Sequence, residues 1–257
     1  MRKVAFVNEK GGSSKTTFAV NTAAYFALVK GKRVLLIDTD PQGQVARSLG
    51  LAHDEHVPNL SDLILERGVR LRDVIHSTRI DGLFVVPSDR RLNDFPLRYA
   101  DRSDRFRRLS KVLAGLDGFD FVLFDTPPSM GLITQNVILA SEEIVIPVPL
   151  TYLALDGCAQ VIEVVEQLKT KHRRDLPRIA LVVPTFYRPT RMANAILEKL
   201  SDYFGRRLAS TVVRFNVRID EAQSQGLTIW EYAPKSTGAQ MLSSVADEIY
   251  RAVSRRR

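Results

Sequence analysis

The chain has 257 residues, 45% of them hydrophobic, with 37 Lys and Arg against 29 Asp and Glu. This composition can bury one sizeable core, and no linker or repeat divides it, so we expect a single domain spanning residues 1–257. The single Cys158 excludes an intrachain disulfide and a paired-cysteine metal site, and neither a signal peptide nor an apolar run of ~20 residues is present, which predicts a cytoplasmic protein with no membrane partner.

Apolar segments alternate with helical segments along the chain, which predicts an α/β fold with a mainly parallel twisted sheet and helices on both faces. The predicted strands are 3–8, 33–38, 83–87, 121–125, 143–147, 179–184 and 211–213. The predicted helices are 18–29, 44–49, 60–65, 71–76, 103–116, 132–140, 154–171, 191–204 and 236–253. The charged segment 89–108 is interpreted as a surface excursion.

A glycine turn lies between the first predicted strand and the first predicted helix. It reads Lys10-Gly11-Gly12-Ser13-Ser14-Lys15-Thr16-Thr17. The backbone N–H groups of such a turn, together with the positive end of the following helix, bind phosphate groups. Lys15 would reach the outer phosphates and the Thr16 hydroxyl would ligate Mg²⁺, so the sequence predicts a nucleotide site.

The turn departs from the standard pattern G-x-x-x-x-G-K-[ST], because Glu9 and Ser14 occupy the two glycine positions. If position 14 requires a positive φ, a serine there is strained.

Acidic residues follow two predicted strands, at the edge where open α/β sheets place their sites. Asp38 and Asp40 end the second strand, and Asp125 ends a later one. Any one of them could equally be a helix cap or turn residue. Three acids in a chain with a phosphate loop favour an Mg²⁺ site, for which we name Thr16, Asp40 and Asp125.

The segment Lys10-Gly11-Gly12 with Lys15 resembles the deviant Walker A motif, x-K-G-G-x-x-K-[ST], of the ParA/MinD family of P-loop ATPases. Residues 38–43 resemble the switch I of ParA/Soj-type partition ATPases, and residues 125–129 resemble their Walker B and switch II. Segments near 144–157, 184–187, 216–222 and 236–240 are similar to later landmarks of the family. The resemblance therefore covers essentially the whole chain.

This resemblance implies a Mg²⁺-dependent ATPase with slow intrinsic turnover, which a ParB-like activator stimulates. In the family the first lysine reaches the nucleotide of a second subunit, so an ATP sandwich homodimer is implied. The resemblance assigns catalysis to Lys10, Lys15, Asp40 and Asp125. It places Pro184, Thr185 and Asn216 near the adenine.

The basic excess lies in the last third of the chain, where residues 169–257 hold 17 Lys and Arg against 8 Asp and Glu. Such a bias fits sequence-independent contact with duplex DNA, although a solvated basic face is the alternative. By resemblance the candidate contacts are Arg188, Arg191, Arg214 and Arg218. Each could instead be an exposed charge, pairing for example with Asp220 or Glu221.

Several functions stay open within the family. The cargo could be a chromosome, a plasmid or a protein assembly, and the protein would associate with the nucleoid when ATP is bound. A MinD-like membrane ATPase is an alternative, but the apolar positions of the last helix have core-facing spacing rather than a membrane-binding face. A reductase of the nitrogenase iron protein type would need cluster cysteines, which the sequence lacks. The short N-terminal segment before the first strand argues against an operator-reading helix-turn-helix domain.

Overall fold

The computed structural model describes residues 1–51, 57–66, 68–152, 154–173 and 177–254. Within them, seven strands form one sheet in the order β3-β4-β2-β5-β1-β6-β7, and all neighbours are parallel except β3 and β4. The strands are β1 Arg2–Phe6, β2 Val34–Asp38, β3 His76–Ser77, β4 Leu83–Val86, β5 Phe121–Asp125, β6 Glu143–Pro149 and β7 Arg178–Thr185. The predicted fold class is confirmed.

Helices connect the strands and cover both faces of the sheet. They are α1 Lys15–Leu28, α2 Gln44–Ser48, α3 Leu60–Leu65, α4 Phe95–Tyr99, α5 Arg108–Val112, α6 Leu132–Ala140, α7 Ala154–His172, α8 Arg191–Phe204, α9 Val217–Ser224, α10 Ile229–Tyr232 and α11 Thr237–Ser254. Short 3₁₀ turns lie at Leu71–Val74, Arg90–Asp94 and Gly205–Arg207.

The interiors of the central strands are apolar because both faces of the sheet are covered, and their charged residues lie at the strand ends. In β1, Val4 and Phe6 pack into the hydrophobic cluster beneath α1 and α11, while Ala5 packs into the cluster on the opposite face with α6 and α7. Ile249 and Val253 of α11 are fully buried in the first cluster, so the apolar face of this helix is committed to the core. No helix among the described residues is long and apolar enough to cross a membrane.

The predicted strand 211–213 is wrong. On either side of this segment the chain forms only isolated bridges, one between Leu208 and Val182 of β7 and one between Arg214 and Tyr187. The carboxylate of Glu248 accepts the N–H groups of Ser210 and Thr211 at 2.7 and 2.9 Å. These backbone donors are therefore unavailable to a strand ladder.

The predicted helix 103–116 is too long, because only α5, Arg108–Val112, is helical. A side chain from another helix interrupts the rest. The buried amide of Asn136 in α6 donates to the carbonyl of Arg105 at 2.7 Å and accepts the N–H of Leu109 at 3.2 Å. These are the two backbone groups that an α-helix would join to each other. The long-range contact replaces the local one.

Two other segments differ from prediction. The predicted helix 71–76 is a 3₁₀ turn followed by β3, which pairs antiparallel with β4. Segment 89–108 does lie outside the sheet, but Leu92, Phe95 and Tyr99 are buried in the core and anchor it.

Candidate active site

The candidate site lies at the carboxyl ends of β1, β2 and β5. The strand register places Phe6 and Asp38 on either side of Asp125, so the segments that follow β1 and β2 flank this carboxylate. This is the edge at which parallel sheets place ligands.

The segment after β1 forms a concave loop that ends on the N-terminus of α1. Asn8 closes its base, since its amide donates to the Pro147 carbonyl at 2.6 Å and its oxygen accepts the Lys10 N–H at 2.9 Å. Gly12 and Ser14 both adopt the left-handed conformation, with φ of 66° and 67°. Position 14 therefore has the positive φ under which a serine was expected to be strained. The first N–H groups of a helix such as α1 have no intrahelical partner and can bind an anion.

The two lysines of the loop have different surroundings. Lys15 is buried, and its ammonium contacts the carbonyl of Lys10 at 3.2 Å and the hydroxyl of Ser13 at 3.3 Å. Burial lowers the pKa of Lys15, although the nearby carboxylates of Asp125 and Asp40 oppose this shift. The ammonium of Lys10 instead donates to the hydroxyl of Thr151, beyond β6, at 2.7 Å.

Thr16 and Asp125 form the part of the site that could hold Mg²⁺. The Thr16 hydroxyl donates to Oδ2 of Asp125 at 2.6 Å, and the buried Oδ1 of Asp125 has no hydrogen-bond partner. Burial raises the pKa of Asp125 to about 7, against the lowering effects of Thr16 and Lys15. A hydroxyl and a carboxylate oxygen with open coordination capacity fit a cation that keeps several waters and phosphate ligands. The described residues contain no group of three His, Cys, Asp or Glu side chains that could hold a metal ion by themselves.

Asp38, the third acid of the sequence pattern and not one of the predicted metal ligands, is engaged by the loop that follows β2. Its two carboxylate oxygens accept the N–H groups of Asp40 at 2.9 Å and Val45 at 3.1 Å. Burial, followed by the charge of Asp125, raises its pKa well above the ordinary value. Asp38 therefore closes the loop between β2 and α2.

Asp40 lies inside that loop and is nearly buried, with 9% of its surface exposed. Its carboxylate accepts the N–H of Gln42 at 2.9 Å, which fixes the side chain in a tight turn. The loop thus presents Asp40 at the same sheet edge as Asp125.

The residues predicted to lie near the adenine gather beside the loop. Ser14, Thr185 and Asn216 line one cavity together with Phe186, Phe215 and Asp220. The side chain of Asn216 caps α9, accepting the Arg218 N–H at 3.0 Å, so its amide is already engaged. Pro184 does not line this cavity, and its carbonyl accepts the N–H of Val213.

The four candidate arginines are all exposed. The bridge between Tyr187 and Arg214 brings the segment of Arg188 next to that of Arg214, and Arg191 begins α8. Arg218, in the first turn of α9, forms an ion pair with Glu221 at 2.8 Å. Arg218 is therefore an exposed charge that pairs with Glu221, as the alternative reading of the sequence expected. The guanidinium of Arg214 lies 5.8 Å from the centre of the Tyr187 ring.

Sequence reasoning missed two residues that contact the candidate site. Thr151 holds the ammonium of Lys10, and Ser88, after β4, donates to the main-chain carbonyl of Asp40. Both follow strands at the site's edge of the sheet, which is a signal that could have singled them out. Hydroxyl residues are common in such turns, so the signal is weak.

The fold and the phosphate loop define a P-loop nucleoside triphosphatase. A family model described as an AAA domain matches residues 1–178. The chromosome-partitioning ATPase Soj of Treponema pallidum is 34% identical over 249 residues, 96% of each chain. The chain therefore belongs to the ParA/Soj family of partition ATPases.

Solved structures share this fold. An ATP complex of McdA from Cyanothece has a TM-score of 0.87 at 21% identity, over 100% of this chain and 98% of that one, and supports the fold. Cobyrinic acid a,c-diamide synthase from Mycobacterium smegmatis, with a bound ATP analogue and magnesium, has a TM-score of 0.84 at 26% identity, over 100% and 97%. This protein is an ATPase whose cofactors are ATP and Mg²⁺.

Proposed function

We propose that this chain is a single-domain partition ATPase that binds DNA in its ATP state. ATP and Mg²⁺ join two copies face to face, the dimer binds duplex DNA without sequence preference, and hydrolysis stimulated by a ParB-like activator releases it. Such a protein associates with the nucleoid when ATP is bound. The Treponema pallidum relative is a chromosome-partitioning ATPase, which supports a chromosome as the cargo.

The observation that carries the proposal is the different placement of the two loop lysines. Lys15 is buried within the loop, where it would neutralise the outer phosphates of the chain's own nucleotide. The ammonium of Lys10 instead donates to the hydroxyl of Thr151, beyond β6. On release of this one hydrogen bond, the ammonium could bind the nucleotide of a second copy.

Hydrolysis at this site relies on position and charge. Thr16 and Asp125 would hold Mg²⁺, which would supply positive charge against the negative charge that develops during phosphoryl transfer. Lys15 and Lys10 add positive charge to the transferring phosphoryl group, and Asp40 orients the attacking water. The fixed turn around Asp40 supports this role, because a water must be held in line with the bond that breaks.

The exposed arginines support DNA binding by the dimer. Arg188 and Arg214 lie on adjacent segments, and a dimer doubles the number of such contacts. Contacts to phosphates give affinity without sequence preference and make it fall steeply with salt.

Duplex binding tests the proposal. We expect wild-type protein with a non-hydrolysable ATP analogue to bind random duplex in fluorescence anisotropy, and Lys10→Ala to lose both dimerisation and this binding. Arg218→Glu should weaken binding to all duplexes alike and make the salt dependence shallower. Arg98→Glu is the matched control, because Arg98 is also an exposed helical arginine in an ion pair, on α4. An ATP-bound dimer that ignored random duplex at low salt but bound anionic liposomes would contradict the proposal.

A further inference from the structure

The main chain of Asp40 is held by a residue that follows the neighbouring strand. Ser88, two residues after the end of β4, is buried and its hydroxyl donates to the carbonyl oxygen of Asp40. The same carbonyl accepts the N–H of Gly43 at 3.0 Å. On the other side, the N–H of Asp40 donates to Asp38. Both peptide groups that flank the side chain of Asp40 are therefore fixed.

Gly43 allows the loop to lie directly on Ser88. A Cβ atom at position 43 would lie 2.9 Å from the carbonyl oxygen of Ser88, and φ of Gly43 is +63°. Only glycine adopts this conformation readily and leaves room for the contact. Ser88 thus touches the loop twice, through its hydroxyl and through its backbone.

The residues on either side of Ser88 are held by hydrogen bonds to the N-terminal end of α3. The N–H of Leu60 donates to the carbonyl of Pro87 at 2.8 Å. The carboxylate of Asp89 accepts the amide of Asn59 at 2.9 Å and the hydroxyl of Ser61 at 2.7 Å. The residues on both sides of Ser88 are therefore fixed to the body of the protein.

We propose that Ser88 is a positioning residue for ATP hydrolysis, which holds the backbone of Asp40 so that its carboxylate can orient water. This inference rests on the role proposed for Asp40. Ser88 bonds to Asp40 in segment 38–43, which resembles switch I, and not to the phosphate loop. Loss of the Ser88 hydroxyl should therefore change turnover rather than nucleotide affinity. Small displacements of a group that positions a reactant lower rates strongly, by up to about 100-fold for 1 Å.

The test compares Ser88→Ala with Ser141→Ala, measuring steady-state turnover and the affinity for a non-hydrolysable ATP analogue. Each variant loses one buried hydroxyl that donates to a main-chain carbonyl, but Ser141 bonds to Val137 in α6 and not to segment 38–43. We expect Ser88→Ala to lower kcat about ten-fold with analogue affinity within about two-fold of wild type. Ser141→Ala should keep kcat within about two-fold. Ser88→Cys, which keeps the volume but has a weak donor, should behave as Ser88→Ala and serves if the alanine variant does not fold.

Turnover by Asp40→Ala distinguishes failure of the role proposed for Ser88 from failure of the role proposed for Asp40. If Asp40→Ala abolishes turnover and Ser88→Ala leaves it unchanged, the role of Ser88 is overturned while that of Asp40 stands. If Asp40→Ala itself turns over normally, the proposed mechanism fails. The double variant should be no slower than Asp40→Ala, because both changes act on the same group. Equal losses of kcat in Ser88→Ala and Ser141→Ala would assign the effect to stability and overturn the inference.

Discussion

Replacing Ser14 by glycine tests the energetic consequence of the unusual phosphate loop. Ser14 is the N-cap residue of α1, has φ of 67° and ψ of 20°, and its side chain makes no capping hydrogen bond. Left-handed backbone costs an L-residue about 1–2 kcal/mol relative to its preferred conformation. Nothing that the hydroxyl contributes to the cap offsets this cost in the nucleotide-free protein.

The expected gain is smaller than the strain. Glycine gives the unfolded chain more conformational freedom, which costs about 0.4–1 kcal/mol. The net stabilisation from Ser14→Gly is therefore about 0.5–1 kcal/mol. For a chain of this size, each kcal/mol shifts Tm by about 2–4 °C, so a rise of roughly 1–4 °C is expected.

Thermal unfolding in EDTA without nucleotide measures this effect, and Gly12→Ala is the matched control. Gly12 has φ of +66°, and no heavy atom lies within 4 Å of a Cβ built there, so alanine meets no steric obstacle. Its cost would come from the backbone alone, and Tm should fall by a few degrees. A Tm that falls on Ser14→Gly would refute the idea that the serine is strained.

Three further predictions concern contacts that the structure revealed. Thr151→Val should lower the protein concentration needed for ATP-dependent dimerisation by about five- to thirty-fold in light scattering, because in each of the two copies a hydrogen bond worth about 0.5–1 kcal/mol no longer retains Lys10; Thr151→Ser should leave it unchanged. Because the pKa of Asp125 is raised to about 7, the native carboxyl holds a proton that the unfolded chain releases near 3.8, so wild-type stability falls as pH rises from about 4 to 7. Asp125→Asn does not titrate, so its Tm advantage in EDTA should be larger at pH 8 than at pH 5, and an equal difference at both would contradict this. Asn136→Ala should lower Tm by more than 4 °C, since two buried backbone groups lose their partner at about 1–3 kcal/mol each, while Gln135→Ala, in the next position of α6, should have a smaller effect.

The sheet and the phosphate loop could be predicted because their signals are local. Strand β5 and helices α3, α6 and α8 have the predicted bounds. An apolar run that ends in an acid identifies both a buried strand and the residue at its functional end. Asp125 is such a residue, and its place between β1 and β2 follows from the parallel register.

The errors arose where a distant side chain replaced a local backbone bond. Asn136 divides a predicted helix whose residues lie about 30 positions earlier in the chain, and Glu248 occupies the backbone donors of Ser210 and Thr211, where the predicted strand 211–213 would begin. Periodicity reports the preferences of a segment and carries no information on such partners. Lys10 shows the same limit within the site, because its partner Thr151 lies 141 residues away.

Helix α9 contacts Thr17, at the end of the phosphate loop, and carries Arg218, one of the four candidate DNA-contacting arginines. Gln223, near its end, accepts the hydroxyl of Thr17 at 3.2 Å, while Arg218 lies in its first turn. Arg79 fixes the following segment, since its guanidinium donates to the carbonyls of Gly226 and of Leu49, which follows α2. A nucleotide that took up the Thr17 hydroxyl would compete with Gln223 for it. One end of α9 would then respond to the bound phosphates, while the other end carries Arg218. A single short helix would therefore connect the nucleotide site with the proposed DNA contact.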